Sequence, residues 1–520
     1  MPTALYPTVV HMLAAATSAA PDREALRCGD ETLTYRDYAA CVAGFAAELT
    51  AAIGPDIARS RIAVLMANSI DTAIAIYAVA ATGAQLVPLN PAYTARELEP
   101  ILADAEPALM VCDSGLEAMV RELAARTGIG QCIAIGANRR LTAWRGDSRG
   151  IESFPDPASL GLLQYTGGTT GRAKGVNLTH GAVATNVAQR EALLPSEDGE
   201  RILAVTPLYH SYAMAMGLHL ACYCRGTLIL LPRYHPKDVL DLIARERVTL
   251  FAGSPTLFVG LMSHADFANT DFSSLKLCFS GASALPTETL QRWEQATGCP
   301  ICEGYGQTEA GPVLTYNPRH GRRKTGSVGL PLPRTEVQIV DADTGRNILP
   351  VGEAGEVRAR GPQIMSGYRN RPEETATALR DGWLYTGDIG AFDEDGYLFI
   401  RDRKKDMVIV GGFNVYPREI EEVLCQHPDI VEAAVVGVTD TYRGETLHAY
   451  VTLRPTATAS SEGLYSYLKE RLTKYKIPAR IDTRGVIPKT SVGKIDKVAL
   501  RAAANASPPF IPAKAGTQSQ

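Results

Sequence analysis

Short apolar runs alternate with helix-like segments over much of the chain, and this alternation restricts the fold more than any other feature. Residues 226–232 form an apolar run of strand length. A helix is predicted over 236–248, because Val239, Leu242 and Ile243 recur at the spacing of one helix face after Pro236. Strands that alternate with helices pair in parallel, with the helices as crossovers. The pattern predicts an α/β fold, and it continues with strands at 249–252 and 275–280 and helices at 255–264 and 286–297.

A change of composition near residue 320 divides the chain. We expect a large N-terminal domain over 1–402, with mixed parallel sheets flanked by helices, in which about 320–402 is a β-rich subdomain. A charged link, RDRKKD, leads into a small, mobile α+β C-terminal domain over 403–505. The tail at 506–520 is rich in Pro, Ser and Ala, and we expect it to be disordered. Strands are expected at 336–340, 355–360, 431–438 and 447–453, and helices at 9–20, 417–426 and 461–474.

Composition and charge exclude several classes of protein. The 520 residues are 46% hydrophobic and 21% charged, with a net charge of −4, so we expect no nucleic-acid partner. No apolar run reaches the roughly 18 residues of a membrane span, while peripheral membrane association stays open. The ten cysteines favour a reduced protein of the cytoplasm, and Cys299 and Cys302 lack the second pair that a zinc site needs. A monomer and a homodimer are both compatible with the sequence.

A loop rich in glycine and threonine spans residues 166–175, with the sequence TGGTTGRAKG. Glycines let backbone N–H groups approach an anion, and hydroxyls and cations add further donors. The loop does not match the Walker A pattern, because Lys174 is followed by glycine. By itself it indicates either a phosphate cradle or a solvated turn. The candidate phosphate ligands are Thr166, Gly167, Gly168, Thr169, Thr170, Gly171 and Lys174.

Four further segments help to distinguish a phosphate-binding loop from a solvated turn. They are Gly281-Ala282-Ser283, the run EGYGQTE from Glu303 to Glu309, YTGD ending at Asp388, and PKTSVGK ending at Lys494. Together with the loop, they closely resemble the signature motifs of the adenylate-forming superfamily, over about residues 5–503. Residues 381–420 are especially similar to bacterial medium- and long-chain fatty-acyl-CoA synthetases. The resemblance implies that ATP activates a carboxylic acid as acyl-AMP, and that coenzyme A then displaces AMP.

The resemblance also implies roles for individual residues. Lys494 is expected to promote adenylation, with Thr166, Glu309 and His210 as further catalytic residues and Glu309 as a Mg²⁺ ligand. Asp388 and Arg403 are expected at the ribose. The remaining nucleotide contacts would be Gly281, Ala282, Ser283, Glu303, Gly304, Tyr305, Gly306, Thr308 and Ile400. The C-terminal domain is expected to rotate about Lys405, which would bring Gly411, Gly412 and Phe413 to the thiol channel.

The sequence gives less information about which carboxylic acid is the substrate. His210 is expected at the mouth of the acyl pocket, and the stretch 213–218 is small and apolar, which favours a medium- or long-chain fatty acid. An aryl- or alicyclic-acid CoA ligase and an acyl-AMP ligase that loads a carrier protein remain alternatives. A non-catalytic sensor of acyl-adenylates ranks last, because Lys494, Glu309 and Asp388 are all present.

Overall fold

The computed structural model of the protein describes residues 5–166, 173–281, 283–410, 413–440, 444–490 and 494–505. Within these ranges the chain forms helices and four β-sheets. The predicted α/β class is confirmed, with two large sheets, a β-rich subdomain and a small C-terminal domain. The tail at 506–520, expected to be disordered, lies outside the described residues.

The first large sheet contains the alternating segment at 226–298. Its central strands pair in parallel, with Leu250 opposite Leu277. The crossover helix Pro236–Arg245 buries one apolar face, as predicted. It ends before the predicted residue 248 because Arg247 takes a left-handed backbone conformation. From edge to edge, the strands are Leu330–Pro331, Thr315–Tyr316, Ile301–Tyr305, Leu277–Ser280, Leu250–Gly253, Arg201–Ala204, Thr227–Leu230, Glu24–Cys28 and Glu31–Thr34.

The second large sheet carries the hairpin of the glycine-rich loop. Its strands Leu160–Thr166 and Lys174–Thr179 are antiparallel, and Thr166 pairs with Lys174. The neighbouring strands are parallel to Leu160–Thr166 and to each other. From edge to edge, the strands are Gly367–Tyr368, Lys174–Thr179, Leu160–Thr166, Gln85–Pro88, Arg61–Leu65, Leu109–Asp113 and Gln131–Ile135.

One hydrophobic core joins the two large sheets. Leu86 and Leu162 of the second sheet share this core with Leu228 and Leu250 of the first. The helix Ile70–Ala81 is buried along its whole length within it. A helix that is apolar all round needs neighbours on every side, and the facing sheets supply them. This packing holds the strand ends of both sheets in one fixed arrangement.

The β-rich subdomain and the C-terminal domain follow in chain order. The expected strands at 336–340 and 355–360 are present with these bounds. Strand pairing passes to a separate sheet between Arg403 and Val408; the cut at 402/403 stays our proposal. The subdomain strands are Glu336–Val340, Gly355–Arg360, Trp383–Phe392, Leu379–Arg380 and Leu398–Arg403, and the C-terminal strands are Phe413–Val415, Val408–Val410, Gly444–Leu453, Ile430–Asp440 and Arg480–Thr483.

One predicted helix is too long. The helix expected at 461–474 spans Ser461–Lys469 and buries Leu464 and Leu468. The chain then turns into a short 3-10 segment, Lys474–Lys476, so the predicted last turn is wrong. Leu472 lies four residues after Leu468 and therefore looked like part of the helix. It packs on the same core but lies beyond the end of the helix.

The other helices surround the sheets, and none in the described ranges is long and apolar enough to span a membrane. A continuous helical stretch from Ser211 to Tyr223 includes a π-helical part at Met214–His219. Cys299 precedes the buried strand Ile301–Tyr305, as predicted. The remaining α-helices are Val9–Ala19, Tyr35–Ile53, Ala95–Ala105, Glu117–Thr127, His180–Arg190, Pro255–Met262, Thr287–Thr297, Pro372–Ala378, Pro417–Cys425 and Lys497–Asn505.

Candidate active site

A cleft of about 1240 Å³ lies between the strand ends of the two large sheets and the C-terminal domain. Strands of both sheets end at it, which is where open α/β sheets bind ligands. Residues from the subdomain and from the C-terminal domain close its other sides. Of the predicted site residues, the cleft is lined by Thr166, His210, Gly281, Ser283, Glu303, Gly304, Tyr305, Gly306, Thr308, Glu309, Asp388, Ile400, Arg403 and Lys494.

Some predicted site residues are placed elsewhere. Lys174 is not among the residues that line the cleft, and its ammonium lies 5.3 Å from the centre of the Tyr368 ring. Phe413 is 56% exposed and stacks on Tyr475 at 4.6 Å, away from the residues that line the cleft. The predicted residues Gly167, Gly168, Thr169, Thr170, Gly171, Ala282, Gly411 and Gly412 lie outside the described residues.

Asp388 is hydrogen-bonded to Tyr305 and forms an ion pair with Arg403. The Tyr305 hydroxyl donates to Asp388 Oδ2 at 2.6 Å, and Arg403 Nε lies 3.5 Å from Asp388 Oδ1. Asp388 and Arg403 also face each other across paired strands. Burial raises the pKa of Asp388, while Arg403, Tyr305 and Lys494 act in the opposite direction. The geometry holds the carboxylate rigid at the cleft, where it is able to accept hydrogen bonds from paired hydroxyls such as those of a ribose.

At Gly304 and Gly306, on either side of Tyr305, the backbone lies too close to neighbouring atoms for a side chain to fit. A Cβ on Gly304 would lie 2.3 Å from the Tyr316 ring, and a Cβ on Gly306 would lie 2.2 Å from the Pro312 carbonyl oxygen. Backbone atoms cannot yield as a flexible side chain does, so Gly306 has no room for a larger residue. This requirement explains the spacing of glycines around Tyr305 in the sequence.

Lys494 reaches the cleft from the C-terminal domain. The Thr490 amide donates to the Lys494 carbonyl oxygen at 2.7 Å. Burial lowers the pKa of Lys494 and nearby Arg403 lowers it further, while Asp388 and Glu309 raise it. The ammonium therefore lies among groups that the N-terminal domain supplies. A cation at this position is suited to stabilise negative charge that develops on a bound phosphate.

His210 faces the same region as a neutral imidazole. Its Nδ1 accepts a hydrogen bond from the Tyr212 amide at 3.4 Å, which leaves the proton on Nε2. Burial lowers the pKa of His210 to about 4, and Lys494 contributes in the same direction. An uncharged N–H donor beside a cation is able to orient an anionic substrate without repelling Lys494.

Glu309 is a candidate ligand for a divalent cation. Its Oε1 accepts a hydrogen bond from the Tyr368 hydroxyl at 2.8 Å, and its side chain lines the cleft. The described residues contain no group of three or more His, Cys, Asp or Glu side chains that could hold a metal alone. A single carboxylate fits Mg²⁺, which takes its remaining ligands from phosphates and water.

The sequence did not reveal every residue at the cleft. The residues that line its apolar side include Pro255, Val259 and Met262, which lie on the helix Pro255–Met262. The predicted apolar stretch 213–218 is instead buried in the core. Tyr368 follows a glycine and precedes a helix, and no pattern around it signals a contact with Glu309. The sequence predicted a helix at 255–264. Periodicity alone, however, does not show which residues of a helix line a cleft.

Comparisons with known proteins identify the family of the chain and several relatives. The profile described as "AMP-binding enzyme" matches residues 13–369, and the profile "AMP-binding enzyme C-terminal domain" matches residues 419–494. A long-chain-fatty-acid–CoA ligase of Bacillus subtilis is 38% identical over 84% of each chain. A feruloyl-CoA synthase of Amycolatopsis is 35% identical over 92% of this chain and 96% of its own.

A solved structure extends the likeness to three dimensions. The chain superposes on ATP-bound MatB from Rhodopseudomonas palustris with a TM-score of 0.88. The sequences are 31% identical, and the match covers 96% of this chain and 99% of that one. The chain therefore shares its fold with a protein that was solved with ATP bound.

Proposed function

This chain belongs to the AMP-binding enzyme family, as an AMP-forming acid–thiol ligase, and we propose that it joins a medium- or long-chain fatty acid to coenzyme A. The acid would first react with ATP to give acyl-AMP and pyrophosphate. The thiol of coenzyme A would then displace AMP and form the thioester. The observation that carries the proposal is the shared cleft, in which Lys494, His210, Glu309 and Asp388 come together from distant parts of the sequence.

The first half-reaction brings an anionic carboxylate to an anionic phosphate, so it depends on position and on positive charge. Lys494 would place its ammonium between the attacking carboxylate and the α-phosphate. His210 would donate Nε2–H to the same anions. Mg²⁺ bound by Glu309 would offset the charge of the leaving pyrophosphate.

The nucleotide itself would be held by the rigid side of the cleft. Asp388 would accept the ribose hydroxyls, supported by Tyr305 and Arg403 at the distances given above. The backbone at Gly304 and Gly306, where no Cβ fits, would lie against the adenine. Thr166 and the loop that follows it would contact the phosphates.

The second half-reaction needs Lys494 to withdraw so that the thiol can enter. We propose that the C-terminal domain rotates about Lys405, which lies at the edge of the cleft in a charged turn. Lys404 next to it is tied to the subdomain, because its ammonium lies 2.9 Å from Glu356 Oε2. Backbone rotation would thus be concentrated after Lys404, and Phe413 would move towards the thiol channel.

A fatty acid is favoured by the apolar side of the cleft and by the relatives. Pro255, Val259 and Met262 offer no charged partner to a second polar group of the acid. The Bacillus subtilis relative named for long-chain fatty acids covers most of this chain. An apolar pocket discriminates by about 1–3 kcal/mol per methylene, so a range of chain lengths is expected.

An aryl acid is a second candidate. The hydroxyls of Tyr212 and Tyr316 lie 3.3 Å apart in the cleft wall, and Tyr316 donates to Tyr212. A phenol pair of this kind is able to bind a ring substituent, and one relative is named a feruloyl-CoA synthase. The same chain would then act as an aryl-CoA ligase.

One panel of acids tests both candidates. The purified protein with ATP, Mg²⁺ and coenzyme A is offered fatty acids from acetate to oleate, together with benzoates, cinnamates and alicyclic acids, and AMP is measured. Highest kcat/KM for fatty acids of medium or long chain is the expected result. Preference for cinnamates would replace the fatty-acid proposal, and no AMP with any acid would refute the ligase. AMP release that requires a carrier protein in place of coenzyme A would indicate the carrier-loading alternative.

A further inference from the structure

Tyr368 lies between two opposite charges of the candidate site. The Lys174 ammonium lies over its ring, 5.3 Å from the ring centre. Its hydroxyl donates to Glu309 Oε1 at 2.8 Å. One side chain therefore contacts both the lysine of the glycine-rich loop and the candidate Mg²⁺ ligand.

The backbone around Tyr368 is fixed on both sides. Tyr368 pairs with Val176 at the edge of the second large sheet, so it is tied to the loop hairpin. Its amide donates to Thr375 Oγ1 at 2.9 Å. Three residues earlier, the Met365 amide donates to the Glu309 carbonyl oxygen at 2.9 Å. The ring is thus held in one place relative to both charged groups.

Because Tyr368 contacts both charged groups, the Lys174 ammonium and the Glu309 carboxylate each have a partner other than one another. An ammonium and a carboxylate at contact attract, and the pair would neutralise both charges. Within the described ranges, neither residue makes an ion pair. The aromatic face is a partner for the cation, and the hydroxyl occupies only one oxygen of the carboxylate. The second carboxylate oxygen stays available for a metal ion.

We propose that Tyr368 is a positioning residue that keeps the Lys174 ammonium and the Glu309 carboxylate apart, so that Lys174 binds phosphate and Glu309 binds Mg²⁺. The inference rests on the proposed ATP site and is independent of which acid is used. In this proposal the ring of Tyr368 acts on Lys174 and its hydroxyl acts on Glu309. Different substitutions of Tyr368 can therefore test the two effects separately.

Isothermal titration of ATP in the absence of acid and coenzyme A, with and without Mg²⁺, tests the hydroxyl. Tyr368→Phe keeps the ring and removes the hydrogen bond to Glu309. Loss of a hydrogen bond to a charged group predicts that binding of ATP with Mg²⁺ weakens by roughly 10-fold or more. Binding without Mg²⁺ should change much less. Equal weakening in both conditions, or none in either, would overturn the role of the hydroxyl.

The ring is tested by Tyr368→Leu, which also removes the support for the Lys174 ammonium. Lys174 should then pair with Glu309, so ATP binding should weaken without Mg²⁺ as well. The double variant Tyr368→Leu with Glu309→Gln removes that new partner and should restore much of the Mg²⁺-free affinity. A double variant as weak as Tyr368→Leu would refute the separation of charges. If Tyr368→Leu does not fold, Tyr368→Phe alone decides.

Tyr397, which is not among the residues that line the cleft, offers a matched control. The Lys324 ammonium lies 4.7 Å from its ring centre, and its hydroxyl donates to the Arg322 carbonyl oxygen. Tyr397→Phe should therefore lower the melting temperature without changing the Mg²⁺ dependence of ATP binding. Failure of the unaltered protein to form AMP with any acid would refute the proposed ligase, whereas the titrations judge Tyr368 separately.

Discussion

The two walls of the cleft are built in different ways. The N-terminal wall is continuous with the sheets, and its polar residues are tied together by contacts such as the 2.6 Å hydrogen bond between Tyr305 and Asp388. The C-terminal wall carries Lys494. An ion pair between Arg454 Nη2 and Glu288 Oε1, at 3.1 Å, joins it to the N-terminal wall, and both of these side chains are partly exposed.

We infer from this difference that the N-terminal wall binds the nucleotide, whereas the C-terminal wall supplies a catalytic residue. A preorganised wall is able to hold the nucleotide through both half-reactions without reorganisation. The exposed pair between Arg454 and Glu288 adds little to the attachment of the C-terminal wall, since exposed ion pairs contribute about 0–1 kcal/mol. We infer that the nucleotide site stays fixed while the wall that carries Lys494 is able to leave.

The largest effect is expected from Lys494→Ala, which removes the charge that the C-terminal wall supplies. Formation of acyl-AMP should fall by about 100-fold or more, by analogy with loss of one transition-state donor. Thioester formation from supplied acyl-AMP should stay close to that of the unaltered protein. Both steps are followed separately, by pyrophosphate release and by thioester formation.

A lysine of the same domain serves as its control. Lys476 forms an ion pair with Glu419 within the C-terminal domain, outside the residues that line the cleft. Lys476→Ala should leave both half-reactions unchanged. Equal loss of both steps in Lys494→Ala would contradict the separation of roles.

A smaller effect is expected from Asp388→Asn, which alters the fixed wall. The amide keeps the shape but loses the charge that Arg403 and the Tyr305 hydroxyl contact. Loss of charge-assisted hydrogen bonds predicts roughly a 10-fold or larger increase in the KM for ATP. In contrast to Lys494→Ala, both half-reactions should be affected. Steady-state kinetics at varied ATP measures the change, and an unchanged KM with unchanged kcat would count against the ribose role.

A pH-dependent effect is expected from Glu303, which interacts with Arg418 of the C-terminal wall. Burial raises the pKa of Glu303 to about 7, while Arg418 and the Leu285 amide lower it. Between pH 4.5 and about 7, the folded protein keeps a proton that the unfolded chain has lost, so the free energy of unfolding falls as pH rises. Glu303→Gln removes this slope. Its melting temperature relative to the unaltered protein should therefore increase from pH 5 to pH 8; a constant difference would refute the raised pKa.

The smallest effect is expected from Glu288→Gln, which breaks the ion pair between the walls. Because both side chains are partly exposed, loss of about 0.5 kcal/mol predicts roughly a twofold change in the balance of the domain orientations. Adenylation should slow slightly, and thioester formation from supplied acyl-AMP should not. Glu336→Gln, in an exposed pair with Arg360 inside the subdomain, is the matched control and should change neither rate. Equal slowing by both variants would contradict a role of Glu288 between the walls.

Much of the fold could be predicted because the relevant signals are local. The strands Glu336–Val340 and Gly355–Arg360 and the helix beginning at Pro236 follow from periodicity and from residues that favour their ends. The helix beginning at Ser461 was predicted too long, because an apolar residue outside a helix is able to continue its spacing. Residues with a distinctive motif, such as Asp388 and Lys494, could be nominated for the site. Tyr368 could not, because its role depends on contacts with residues far away in the chain.

The amino-acid sequence by itself determined the α/β class and the chemical groups available for binding a nucleotide, because periodicity and motifs are properties of neighbouring residues. The tertiary structure decided which of these groups meet. It buries 213–218 in the core, puts Lys494 beside Asp388 and Glu309, and places Tyr368 between Lys174 and Glu309. These contacts join residues that are distant in the chain. They exist only because the packing of two sheets on one core fixes where every strand ends.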